Sequence, residues 1–267
     1  MKNERTYWIT TLILLSLFFG CKKVIDVSVK NAPSQIVITG EITNRRGPYK
    51  VNLSRSVNFS ADNIFPPVSG ALVVVKGNGV TDTLSEDEPG IYFTNKIEGT
   101  PGKSYSLYVV VDGKTFTATS SMPEPVRIDS LSFLVGRNDN IYPVVNFQDP
   151  AGIANYYQFI EYANGEKFKN GRGNSVFDDR LSDGRYISTV LYDDDSTDIR
   201  RGIVLTIQMN CIDKPVYDYL EQLLQISGGG AGFSSPAPAN PTSNINGGAL
   251  GYFSAHTITT KSVQLPK

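Results

Sequence analysis

Apolar and polar residues alternate with a period of two along most of this chain, in short runs closed by turn residues, the pattern of half-buried β-strands. Ile36, Ile38 and Ile42 alternate between Gln35 and Ile42, and the Arg46-Gly47-Pro48 turn leads into Tyr49, Val51 and Leu53. Beyond Pro66-Pro67, the runs Ala71 to Lys76 and Val80 to Leu84 flank Gly77-Asn78-Gly79, and Ile91 to Thr94 follows. Tyr105, Leu107, Val109 and Val111 run into Asp112-Gly113, with Phe116 and Ala118 beyond it. Asn and Gly accept the positive φ that a two-residue hairpin demands, so both Gly-containing turns predict hairpins. About seven strands in about ninety residues predict an N-terminal β-sandwich of the immunoglobulin or transthyretin kind over residues 35–122.

Met122-Pro123-Glu124-Pro125 interrupts this pattern, because closely spaced prolines disfavour both ladder pairing and helix; residues 123–127 are expected to be a linker. A second β-rich domain is predicted over residues 128–267. Its strands fall near Leu131 to Val135, Ile141 to Phe147, Tyr156 to Tyr162, Tyr186 to Tyr192, Ile203 to Cys211 and Thr257 to Leu265. The period changes once. Val216, Tyr219, Leu220 and Leu223 recur at helical spacing, with Asp213 placed as N-cap, Pro215 in the first turn and Gly228-Gly229-Gly230 as the stop, which predicts one amphipathic helix near 214–227. Between Ala231 and Gly248 the chain is rich in Pro, Ser, Asn and Gly and buries little apolar surface.

The N-terminus follows neither period. Lys2 and Arg5 precede an uncharged stretch from Trp8 to Phe19, shorter than the roughly 20 apolar residues of a spanning helix, so residues 1–20 are expected to be an export signal. Leu17-Phe18-Phe19-Gly20-Cys21 resembles a bacterial lipobox, with cleavage between Gly20 and Cys21 and acylation of Cys21; Phe18 stands where that motif usually has Leu. Residues 21–34 would then be a lipidated tether. Several acyl chains on one cysteine satisfy the need of a stable anchor for more than one chain. The other cysteine, Cys211, continues the apolar face Ile203, Leu205, Ile207, Met209 and is expected to be a buried thiol.

With 25 basic and 26 acidic residues, the chain has no field that favours nucleic acid. A single histidine, His256, excludes HExxH zinc sites, and no G-x-S-x-G elbow occurs. Gly102-Lys103-Ser104 mimics the end of a phosphate loop, but a strand pattern follows where a helix is required, so it reads as a turn. No cofactor is expected. Asp193-Asp194-Asp195 with Asp198 gathers hard oxygen ligands on a loop, yet without the glycine and distal glutamate of an EF-hand, so a solvated hairpin tip is expected there, with calcium binding as the alternative. Tyr252, Phe253 and His256 are candidate binding residues, since aromatics offer stacking faces to glycan or peptide ligands; as strand neighbours, only one of Tyr252 and Phe253 can face solvent.

Seven segments stand out together: Cys21 to Val27, Asn58-Phe59-Ser60 before Phe65-Pro66-Pro67-Val68, Pro89 to Tyr92, Gly99 to Tyr105, Asp129-Ser130-Leu131, Pro215 to Leu220 and, most specifically, Asn246 to Ala255. Through them the chain as a whole resembles a family of bacterial lipoproteins catalogued as domain of unknown function 4249. The resemblance implies a lipoprotein of the Gram-negative cell envelope, often encoded near TonB-dependent outer-membrane receptors, and assigns no catalytic residues. The expected function is therefore non-enzymatic: a membrane-anchored lipoprotein, lipid-anchored in the outer membrane on the periplasmic or the surface side, that binds a ligand or envelope partner as an accessory to a TonB-dependent transporter. The alternatives are a carboxylate-dependent hydrolase, using a pair among Asp178, Asp179 and Asp183, and a structural or adhesive surface protein.

Overall fold

A computed structural model describes residues 33–58, 62, 64–136, 140–168, 174–192, 199, 201–227 and 240–265. Residues 1–32, where the expected signal, Gly20, Cys21 and most of the expected tether fall, lie outside them, as do Phe59, Ser60, Asp193 to Asp198, Gly228 to Gly230 and the stretch from Ala231 to residue 239. The described residues are mainly β, in several sheets, with one helix.

Two cores organise the fold. In the first, strands β1 (Ile36–Thr43), β2 (Lys50–Arg55), β5 (Ser85–Glu88) and β6 (Ile91–Phe93) face β3 (Leu72–Gly77), β4 (Val80–Thr83), β7 (Ser104–Val111) and β8 (Lys114–Ser121). The alternation read from the sequence is the burial pattern: Tyr105, Leu107, Val109 and Val111 point inward while Ser104, Ser106 and Tyr108 point out. β5 was not foreseen, because its residues Ser-Glu-Asp-Glu are all exposed and carry no apolar period. Three buried tyrosines tie loops to this core through their hydroxyls. Tyr105 donates to the Glu98 carbonyl at 3.1 Å and accepts the Thr100 N–H at 2.7 Å; Tyr49 and Tyr92 bridge Arg45 to Gly99 and Val68 to Ala71 in the same way.

Met122 closes the first core, and Val126 and Ile128 already belong to the second. There β9 (Ser130–Val135), β10 (Ile141–Gln148) and β14 (Tyr186–Val190) form a three-stranded sheet. It packs on β11 (Tyr156–Ala163) and β15 (Val204–Ile212) around Phe147, Tyr157, Phe159, Leu205, Ile207 and Met209. Two short strands, β12 (Glu166–Lys167) and β13 (Asn174–Asp178), pair with β11, and β16 (Ile245–Asn246) pairs with β8.

The last strand, β17 (Leu250–Gln264), joins the cores into a unit spanning Ser34–Lys267. Over Leu250 to His256 it runs parallel to β1, and from Thr257 to Gln264 it pairs antiparallel with β15. One long sheet therefore passes through both lobes, and Phe253 and Ala255 lie in the first core although they are late in the chain. Gly251 makes this register fit: with φ +92°, it sits where a Cβ would come within 2.0 Å of the Ile38 carbonyl oxygen.

The helix α1 (Lys214–Ser227) begins where the sequence places it. Asp213 caps it by accepting the Val216 N–H at 3.3 Å, while its other oxygen accepts the Ser120 hydroxyl at 2.8 Å and the Ser121 N–H at 2.9 Å. The cap thus also pins the helix to β8. Val216, Tyr217 and Leu220 bury the apolar stripe against Ile212, Tyr156 and Val176.

Candidate functional site

On the second lobe, β13 and β14 border an open groove of about 810 Å³, with α1 contributing Tyr217. Among the described residues, β13 pairs only with β11 and β14 only with β10, so the groove runs beside two strands that each have an unpaired edge. The turn between them, Asp179 to Arg185, forms one wall. At its tip Leu181 is 91% exposed, and Tyr186 beyond it is 56% exposed. Arg180 and Arg185 are exposed and give the wall a basic character. Asp178 answers on the groove side: its carboxylate accepts the Arg180 Nε–H at 3.0 Å and the Tyr217 hydroxyl at 3.1 Å. Burial, then the bond to Asp178, pushes the Tyr217 hydroxyl above its ordinary range, so it stays a proton donor.

Behind the same turn lies a cluster of carboxylates. Asp149 directly follows β10, and the pairing of Gln148 with Tyr186 sets its loop against the Asp179 to Arg185 turn. Gly184, at φ +68°, permits this approach, since a Cβ there would lie 2.6 Å from the Ala151 Cβ. One oxygen from each of Asp149, Asp179 and Asp183 lies within 4.8 Å of the others. Asp149 and Asp179 are buried, and Asp183 is exposed. Asp149 accepts the Tyr157 hydroxyl at 2.5 Å and the Gly184 N–H at 2.9 Å. Asp179 accepts the Asn155 N–H at 2.9 Å and Asp183 the Gly152 N–H at 2.8 Å. Among the described residues, none of the three forms an ion pair with a lysine or arginine. Burial pushes the Asp179 carboxyl up; the Asn155 amide opposes this, and the charges of Asp149 and Asp183 add to it.

Of the carboxylates singled out in the sequence, the fold brings Asp179 and Asp183 together and turns Asp178 away into the groove, as strand neighbours must. The third member, Asp149, is 30 residues upstream in a turn-forming Asp149-Pro150-Ala151-Gly152 segment and was not singled out. Leu181 was missed as well, although a lone leucine among Asp, Arg, Ser and Gly is a legible oddity.

The aromatic candidates lie elsewhere. Phe253 is fully buried in the first core. His256 is also buried, with its Nδ1 3.0 Å from the Ser254 hydroxyl, and burial lowers its pKa to about 4. Tyr252, on the opposite face of the strand from Phe253, packs against Tyr219 with tilted rings whose centroids are 5.0 Å apart, beside a small pocket of about 220 Å³ lined by Glu41, Lys50 and Asn52. Burial, then the charge of Glu41, pushes its hydroxyl up to about 12. Cys211 is a buried free thiol whose pKa is raised by burial. Gly102 occupies a turn at φ +73°, one residue short of β7.

Fold and groove together define a two-lobed β protein with a surface cleft between strand edges. The family model described as domain of unknown function (DUF4249) matches residues 22–262, and the chain belongs to that family. No curated protein matches it. Among solved structures it is similar to the crystal structure of a DUF4785 family protein from Legionella pneumophila subsp. pneumophila str. Philadelphia 1. The identity is 11% over 67% of this chain and 52% of that one, with a TM-score of 0.27. The chain thus spans about half the length of that structure, and so distant a likeness carries no functional argument. Among the described residues, no helix is long and apolar enough to cross a membrane.

Proposed function

We propose that this chain is a non-enzymatic lipoprotein of the cell envelope, anchored in the outer membrane by acyl chains on Cys21, which binds an extended segment of an envelope partner in the β13–β14 groove. The partner class this reading favours is a TonB-dependent transporter. The observation that carries the binding role is the groove itself: two strand edges, unpaired among the described residues, offer N–H and C=O groups to an added strand. Leu181 and Tyr186 supply apolar contacts of the kind that anchor interfaces, and Arg180 and Arg185 suit acidic residues on the segment. The lipobox-like Leu17 to Cys21 supports the anchor.

A photo-crosslinking amino acid at position 181, in cells expressing the full chain, tests the groove against the same probe at Tyr108, which is 38% exposed on the first lobe. Position 181 is expected to yield a discrete adduct with an outer-membrane receptor, and position 108 none. Equal labelling from both positions, or no adduct from 181, would overturn the binding role. The anchor has its own test: palmitate label should enter the protein and be lost in Cys21→Ala, and an unlabelled parent chain refutes lipidation.

A further inference from the structure

We propose that Asp149, Asp179, Asp183 and Asn155 form a calcium site behind the groove wall. The three carboxylates alone would not carry this. Asp149 and Asp179 are sealed from solvent, where charge is unfavourable unless a counter-charge or a proton joins it, and the described residues place no basic side chain in an ion pair with either of them or with the exposed Asp183.

The second observation is Asn155. It is only 6% exposed, and its side-chain Oδ1 is sealed from solvent with no hydrogen-bond donor. Buried acceptors are almost always satisfied, so an orphaned one asks for a partner. Asn155 continues the β11–β13 ladder opposite Asp179: its N–H reaches Asp179 Oδ2 at 2.9 Å, and its carbonyl accepts the Asp179 N–H at 3.3 Å. It lies two residues before Tyr157, so its side chain is on the same sheet face as the tyrosine whose hydroxyl reaches Asp149. The orphaned oxygen is therefore on the cluster's side of the sheet. Ser182, in the turn between Asp179 and Asp183, holds a second hydroxyl oxygen that is sealed and unpartnered.

The donor set names the metal. All candidate ligands are hard oxygens, with no imidazole or thiolate, which disfavours zinc and copper. Carboxylates mixed with an amide carbonyl, drawn from loops of three separate strands, suit the six to eight oxygen ligands and loose geometry of Ca²⁺ better than the strict octahedron of Mg²⁺. An ion there would cross-link the loop after β10, the start of β11 and the turn that carries Leu181 and Arg185. The site does not depend on what the groove binds.

The test is calorimetry and thermal unfolding of the mature full chain, stripped with chelator and titrated with CaCl₂ or, separately, MgCl₂. Calcium at about 100-fold above its Kd should raise Tm by about 5–10 °C, with a much smaller response to magnesium. Asp183→Asn, at the exposed ligand, and Asn155→Ala should each weaken calcium binding at least about tenfold, with unchanged circular dichroism. Asp87→Asn, on the exposed strand β5 of the other lobe, should bind as the parent does. Absence of calcium heat from the folded parent chain would overturn the site and leave a proton shared among the carboxylates as the explanation. Equal binding of magnesium, or full calcium affinity in Asp183→Asn, would overturn it as well.

Discussion

Asp82 in the first lobe and Asp179 in the second are almost equally sealed from solvent, at 1% and 4% exposure, yet their carboxyls are displaced in opposite directions. One oxygen of Asp82 collects the consecutive N–H groups of Asn95, Lys96 and Ile97 at 2.8, 2.7 and 3.0 Å. Burial on its own would raise Asp82, but the three amides together, aided by the Lys96 charge, outweigh it and hold the carboxyl below its ordinary value. Asp179 meets one amide and two carboxylates, and ends above its ordinary value. Desolvation acts on both; what converges on the oxygen decides the outcome. Successive amides turn a buried charge into a staple for a loop, whereas like charges turn it into a site that lacks something.

Removing the staple should produce the largest effect. Asp82→Ala strands three amides beneath a loop and is expected to lose about 4 kcal/mol in urea unfolding. Asp82→Asn, which keeps an acceptor, should lose less than half as much. The pH dependence has a definite sign. Because the folded carboxyl lies below the ordinary 3.8, its stabilisation is fully present above that pH and is lost as pH falls through the lower folded value. A loss under about 1 kcal/mol for Asp82→Ala would mean that the Asn95 to Ile97 loop finds other acceptors, and the contrast would fail on its first side.

His256 sharpens the same comparison, because it puts a second acid-sensitive group at a different pH. Its folded pKa is lowered from 6.5 to about 4 by burial, so the unfolded chain takes up a proton that the folded chain refuses. Stability is then complete above pH 6.5 and declines as pH falls towards 4, by roughly 3 kcal/mol in total. In His256→Gln that decline should vanish and leave only the loss at lower pH to which Asp82 contributes. A parent protein whose stability is flat between pH 6.5 and 4 would show that His256 is not held neutral.

Strands were legible where one face meets a core. Tyr105 to Val111 and Ile203 to Cys211 show their period directly, and the helix was legible because Asp213, Pro215 and a stripe of apolar residues agree on one register. Ser85 to Glu88 were not, since a strand exposed along its length has no apolar rhythm to read. The parallel pairing of β1 with β17 joins residues about 200 positions apart, and neither strand carries a local signal of its partner. The same limit hid the carboxylate cluster. Asp178, Asp179 and Asp183 stood out as a local group of carboxylates whose spacing could not say which of them meet; Asp149 becomes a neighbour of Asp179 and Asp183 only through the β10–β14 register, and Asp178 is removed from them by the alternation of β13. The opposite facing of Tyr252 and Phe253 was legible from their adjacency on a strand, whereas the burial of His256 was not, since no local pattern marks the core that covers it.

The smallest expected effect tests the other side of the contrast. In chelator, Asp179→Asn should lie within about 1 kcal/mol of the parent protein, or be more stable, because it removes a repelling charge while an amide oxygen can still accept the Asn155 N–H. The change is isosteric, and Asp149 keeps its bonds to Tyr157 and Gly184. Chemical unfolding with and without calcium then separates two roles that the fold superimposes. If Asp179→Asn is near neutral in chelator but forfeits the stabilisation that calcium gives the parent, the carboxylate is there for the ion. A loss of 2 kcal/mol or more without calcium, roughly the cost of breaking a charged hydrogen bond, would make Asp179 a staple like Asp82 and the difference between the lobes one of degree.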